Sequence, residues 1–150
     1  MVPLIRRADG WHLLLILRSQ RVSSHKGQIA FPGGRWERTD DSLLQTAQRE
    51  TAEELGKSIH TRRIFGTLPS VTTHSTGYVI YPFVGLLEEP LILEPDYWEV
   101  EEVLTAPLNA FLTPSKNDPI EFVHDNRIIW GATARIIHQF INCLKEGEVE

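Results

Sequence analysis

The chain has one cysteine, Cys143, so it can form no internal disulfide and suits a reducing compartment. Cys143 lies in an amphipathic C-terminal pattern and reads as a buried packing thiol rather than a nucleophile. No apolar run approaches the roughly 20 residues of a membrane span. Arg6, Arg7 and Asp9 interrupt the early apolar stretch, so no signal peptide is expected. The last residues, Gly147-Glu148-Val149-Glu150, are not a Ser-Lys-Leu address, so a cytoplasmic location is expected. Positive charge is scarce as well. A formal net charge of −5 argues against a nucleic-acid partner, which a basic face would normally serve. The histidines show no metal-ligand spacing, and no serine–histidine–acid motif is present. Repeats, low-complexity tracts and linkers are absent. With 41% hydrophobic and 23% charged residues, residues 1–150 are expected to form one domain.

The most informative stretch present is Arg49-Glu50-Thr51-Ala52-Glu53-Glu54-Leu55-Gly56. On a helix turning about 100° per residue, Glu50, Glu53 and Glu54 share one face. Leu44, Ala47, Thr51 and Leu55 form a separate apolar stripe. Carboxylates at three- and four-residue spacing repel by a few tenths of a kcal/mol per pair, roughly, and a cation between them reverses that cost. A hard divalent ion takes a few carboxylates and leaves positions for substrate phosphates. The alternative is a solvated acidic helix face.

The surrounding pattern alternates strands with two helices. Val2 to Arg7 and Trp11 to Leu17 read as strands joined at Ala8-Asp9-Gly10, and Ser19 to Lys26 as a loop. Gln28 to Phe31 is a short strand stopped by Pro32-Gly33-Gly34. A helix is expected from Ser42 to Leu55, with Asp41 as N-cap and Gly56 as its stop. Strands follow at Arg62 to Thr67, Tyr78 to Leu87 and Val100 to Thr105, then a helical turn after Pro107. Glu121 to His124 and Arg127 to Ile129 read as a hairpin about Asp125-Asn126. Ala134, Ile137, Ile141 and Leu144 recur at helical spacing from Thr133 to Lys145.

These residues resemble the Nudix box: glycine, five residues, glutamate, seven residues, Arg-Glu, an aliphatic, any residue, Glu-Glu, any residue, glycine, an aliphatic. Arg49 to Gly56 matches every charged and glycine position; Thr51 and Lys57 replace aliphatics. The preceding loop is one residue longer, which leaves Asp40 and Asp41 as alternatives for the auxiliary carboxylate. Leu14 to Gly34, LLILRSQRVSSHKGQIAFPGG, is similar to the signature of the coenzyme A branch of that family. Leu14, Leu15, Arg18, Ser19, Gly27, Phe31, Pro32, Gly33 and Gly34 match in register, whereas Ile16 replaces a threonine and Ser23 a second arginine. Ile129 to Ala134 resembles the branch's last strand-to-helix junction.

The resemblance implies an α/β/α sandwich with a mixed β-sheet and a diphosphatase that uses Mg2+ or Mn2+. Coenzyme A or an acyl derivative would be split to 3′,5′-ADP and (acyl-)4′-phosphopantetheine. Glu50, Glu53, Glu54 and the Gly34 main chain are the candidate metal ligands. Glu53 and Glu99 are alternative proton acceptors, and Arg49 orients the box carboxylates. Arg18, His25, Lys26, Gly27, Gln28, Phe31, Gly33 and Tyr78 are the candidate substrate contacts, although an aromatic such as Tyr78 on an apolar strand is more often a core residue. The expected partner is a small nucleotide, with no nucleic acid or membrane, and a homodimer is left open. ADP-ribose or NADH is the rival substrate, kept open by Ser23. No Ser-Gln-Pro-Trp-Pro-Phe-Pro segment of the NADH-directed enzymes follows the box. A nucleotide-binding domain without activity is the other rival, and the complete acidic trio argues against it.

Overall fold

The strand Gly10–Arg18 explains the architecture, because its run of Leu13 to Ile16 is buried residue after residue. Side chains alternate faces along a strand, so both faces of this one must be covered. The computed structural model, which describes residues 1–147, shows how. Its strands are β1 (Val2–Arg7), β2 (Gly10–Arg18), β3 (Ile29–Ala30), β4 (Ile64–Thr67), β5 (Val71–Thr72), β6 (Val79–Ile80), β7 (Phe83–Leu86), β8 (Val100–Pro107), β9 (Lys116–Asn117), β10 (Ile120–His124) and β11 (Arg127–Ile129). The helices are α1 (Leu43–Leu55) and α2 (Gly131–Gly147).

β2 pairs with β1 along its first half, with β3 at Ile16 and Leu17, and with β8 along nearly all its length. β1 runs parallel to β7, and β7 antiparallel to β4, so the six-stranded sheet is mixed. Leu14 and Ile16 face Ala47 and Leu55 of α1 on one side. Leu13 and Leu15 belong to the core that contains Ala134, Ile137, Phe140 and Ile141 of α2 on the other. The result is the α/β/α sandwich with a mixed sheet. β9 to β11 and the β5–β6 pair form two smaller sheets.

Several boundaries differ from the sequence reading. Ser42, not Asp41, caps α1, its hydroxyl accepting from the Gln45 N–H at 3.1 Å. The expected strand from Tyr78 to Leu87 is split into β6 and β7 at Tyr81-Pro82, where proline cannot donate to a ladder. A single 3-10 turn, Thr61–Arg63, replaces the start of the strand expected from Arg62. Cys143 is exposed, because α2 buries the side carrying Ile137, Phe140 and Ile141 and leaves Cys143 and Leu144 outside. The two-residue turn Asp125-Asn126 has positive φ at both positions, as a tight hairpin requires. Residues 148–150, which carried the reading of the C-terminal address, lie outside the described residues.

Candidate active site

Helix α1 packs its Ala47, Thr51 and Leu55 side against the sheet, which leaves its three glutamates at different depths. Glu54 is only 1% exposed. Its Oε2 accepts the Gly33 N–H at 3.0 Å, and burial pushes its carboxyl up to about 8. The sequence pattern set Glu54 on an open acidic face, yet it sits at the seam between that face and the core. Glu50 is half-buried, and burial raises its carboxyl too. The Gly34 main chain lies against it, so a Cβ at position 34 would overlap the Glu50 carboxylate. Glycine is required there for close approach. Glu53 is exposed.

Arg49 ties these parts together. Its Nε and Nη2 donate to the two oxygens of Asp40 at 2.9 Å each, a bidentate pair. Nη2 also donates to the Arg35 carbonyl at 2.9 Å, and Nη1 to Glu50 at 2.9 Å and Glu53 at 3.3 Å. Hydrogen bonding to Arg49 holds the Asp40 carboxyl well below the usual range, and the same pairing raises Arg49. Asp40 is buried and also accepts from the Thr46 hydroxyl at 2.9 Å and the Glu37 N–H at 3.0 Å. Asp41 is exposed. Of the two aspartates the sequence left as alternatives, Asp40 is the one placed against Arg49. Thr46, unremarkable on a helix, carried no sequence signal for this contact.

The loop from Ser19 to Gln28 returns beside the carboxylates. Arg18 donates from Nε to the Ser24 carbonyl at 3.3 Å, and its charge favours the ionised form of Glu54. Gly27 turns with φ 65° and donates its N–H to the Arg18 carbonyl at 3.0 Å. His25 lies 3.1 Å from the Gln28 side-chain oxygen. Lys26 is exposed, and Phe31 packs half-buried against the α2-side core. Glu99 is half-buried; its carbonyl accepts the Ser19 N–H at 2.8 Å, and its charge reaches Glu50 and Glu54. Tyr78 is exposed rather than in the core, with the Arg35 guanidinium 4.5 Å above its ring. Glu53 and Glu99 thus both stand in the neighbourhood of Glu50, and Tyr78 meets the residue after Gly34.

Among the described residues no three acidic, histidine or cysteine side chains already stand at ligating spacing. The donor chemistry nevertheless fits a hard divalent cation. Glu50 lies in the room left by the missing Cβ of Gly34, Glu54 holds the Gly33 N–H, and Glu53 shares Arg49 Nη1 with Glu50. Arg49 Nη1 supplies positive charge between Glu50 and Glu53. Turning Glu50 and Glu53 away from Nη1 would free their oxygens for an ion.

A family model described as the NUDIX domain matches residues 1–149. A relative from Enterobacter sp. (strain 638), named "Uncharacterized Nudix hydrolase NudL", is 35% identical over 93% of this chain and 78% of its own length. A relative of the same name from Photorhabdus laumondii is 35% identical over 85% and 74%. Among solved structures, the NUDIX domain of Shewanella oneidensis NrtR, complexed with ADP ribose, aligns with a TM-score of 0.69 at 21% identity. That alignment covers 95% of this chain and 84% of the other. A MutT/nudix family protein from Enterococcus faecalis aligns with a TM-score of 0.68 at 24% identity, covering 97% and 60%. At these identities the structural likeness speaks for the fold.

Proposed function

The chain belongs to the Nudix hydrolase family, and from that premise we propose that it hydrolyses the diphosphate bond of coenzyme A or its acyl derivatives. Nudix hydrolases act on small nucleotide derivatives and generally use divalent ions such as Mg2+ or Mn2+. When bound, the ion lowers the pKa of a water and neutralises charge on the departing phosphate.

The observation that carries the substrate reading is the closure of segment 18–34 onto Glu54. That segment bears the coenzyme A resemblance, and it delivers the Gly33 N–H to Glu54 Oε2 while Arg18 supplies charge nearby. This supports a reading in which the segment that would distinguish the substrate adjoins, through Gly33, a residue that would hold the ion. In this reading Glu50, Glu53, Glu54 and the Gly34 main chain form the ion's site. Arg49, fixed by Asp40, orients Glu50 and Glu53. Arg18, His25, Lys26, Gly27, Gln28, Phe31, Gly33 and Tyr78 bound the substrate side, and Glu53 or Glu99 accepts the proton from water.

A second reading, a diphosphatase for ADP-ribose or another nucleoside diphosphate derivative, is favoured by Ser23. That residue leaves the signature's second arginine position without a cation. Purified protein with Mg2+ or Mn2+ would be offered coenzyme A, acetyl-coenzyme A, ADP-ribose, NADH and dinucleoside polyphosphates. Coenzyme A should be split to 3′,5′-ADP and 4′-phosphopantetheine with the highest kcat/KM. Equal or better turnover of ADP-ribose would overturn the coenzyme A reading.

A further inference from the structure

Two aromatic residues, Tyr97 and Trp98, immediately precede Glu99, and Trp98 is 62% exposed. An indole left largely in water is informative when its backbone is firmly held, and this one is held from both sides. Asp96 donates its N–H to the Glu54 carbonyl at 3.0 Å, docking the loop onto the end of α1. Asp96 in turn accepts from Glu99 and Val100 through its carbonyl, at 3.0 and 2.8 Å, and from the Trp98 N–H through Oδ1 at 3.0 Å. On the far side the Glu99 carbonyl accepts from Ser19. Trp98 is thereby fixed between the acidic helix and the 19–28 loop.

Arg21 reaches it from that loop. Its guanidinium lies 5.3 Å from the Trp98 ring centroid, within cation–π range. The Ser19 hydroxyl accepts the Arg21 N–H at 3.1 Å and fixes the start of the turn. Arg21 makes no ion pair among the described residues, unlike Arg49, Arg63 and Arg127. Contact with an aromatic ring restrains a guanidinium while its N–H groups stay able to donate, and those donors match a phosphate.

We propose that Arg21 and Trp98 form a platform for a phosphomonoester carried on the nucleotide arm of the substrate, beside the diphosphate that is cleaved. A dianion on that arm needs a cation set away from Glu50, Glu53 and Glu54, because the chain is acidic overall and the carboxylates repel it. Arg21, two positions before Ser23, makes no ion pair with any of the three. The platform rests on the coenzyme A reading, in which this group is the 3′-phosphate, and it names the element that would separate coenzyme A from dephospho-coenzyme A.

The test is the ratio of kcat/KM for coenzyme A to that for dephospho-coenzyme A. Arg21→Ala should lower the ratio about tenfold, mainly through KM for coenzyme A. Trp98→Ala should lower it in the same direction, and Trp98→Phe should keep most of it by retaining a ring. A ratio unchanged in both Arg21→Ala and Trp98→Ala would overturn the proposal. So would an equal rise in KM for the two substrates, which would assign Arg21 to the diphosphate itself. A binding readout separates this idea from its premise: 3′,5′-ADP against 5′-AMP, followed by the fluorescence that Trp98→Phe removes. If coenzyme A is not turned over but 3′,5′-ADP still binds more tightly through Arg21, the substrate reading falls and the platform stands. If coenzyme A is turned over and the two nucleotides bind alike, the platform falls and the substrate reading stands.

Discussion

Replacing Glu54 by glutamine should stabilise the metal-free protein and at the same time abolish turnover, and the two effects have one origin. The Glu54 carboxyl is raised from 4.5 to about 8 because it is buried. A carboxyl raised by folding contributes stability that is complete below its unfolded value. That contribution is lost as pH climbs through the folded value. Between 4.5 and about 8 the ceiling on that loss is ~5 kcal/mol. Near pH 8 about half the groups still carry the proton, and a glutamine NH2 placed there lacks an assigned acceptor, which offsets part of the gain. Glutamine does retain an oxygen for the Gly33 N–H. A net gain of about 2 kcal/mol is expected, or roughly 4–8 °C in Tm for a chain of this size. Thermal melts in chelator, from about pH 5 to pH 8, should show the wild-type Tm falling towards the alkaline end and that of Glu54→Gln falling less. Added Mg2+ or Mn2+ should stabilise the wild type more at the alkaline end, where the carboxylate is ionised, and should stabilise the variant little. The rate of the variant with metal should drop by at least about a hundredfold. Parallel Tm curves for the two proteins would refute the burial argument, and near-normal turnover would refute the metal role.

Other outcomes follow from the same geometry. Asp40→Asn should lower kcat at least about tenfold by loosening Arg49, whereas Asp41→Asn, at an exposed position, should be near neutral in both rate and Tm; steady-state kinetics with melting curves check both. Gly34→Ala should displace the Glu50 carboxylate and raise the Mg2+ concentration needed for half-maximal rate, while circular dichroism shows the fold retained. Glu53→Gln and Glu99→Gln distinguish the proton acceptor: the variant that removes the acidic limb of the pH–rate profile identifies it, and the other should keep that limb.

Much of this framework is legible from local chemistry. The apolar run Leu13 to Ile16 announces a strand covered on both faces, and the spacing of Ala47, Thr51 and Leu55 announces the packed side of α1. Gly56 stops the helix in the left-handed conformation, with its N–H on the Ala52 carbonyl at 2.8 Å. What is not legible depends on partners distant in the chain. Asp40 and Asp41 are chemically alike, and only Arg49, folded back from the helix, selects the first. Ser42 and Asp41 are both good caps, and the helix begins where Thr46 can also reach Asp40. The depth of Glu54 depends on the glycine loop closing over it. Cys143 shares the helical spacing of α2, but the core ends before it. Trp98 has no local pattern at all; its place comes from Asp96 meeting the end of α1.

The reach of Arg49 also bears on the order of events in the enzyme's life. One guanidinium joins Asp40, the Arg35 carbonyl, Glu50 and Glu53, so the loop and the helix carry their own counter-ion. Small zinc domains stay unfolded until their ion arrives. Here Arg49 already balances Glu50 and Glu53, so the proposed ion would replace one positive charge with another. Chelation should therefore switch the enzyme off without unfolding it. Restoring Mg2+ should bring activity back at the pace of side-chain rearrangement, with no refolding lag.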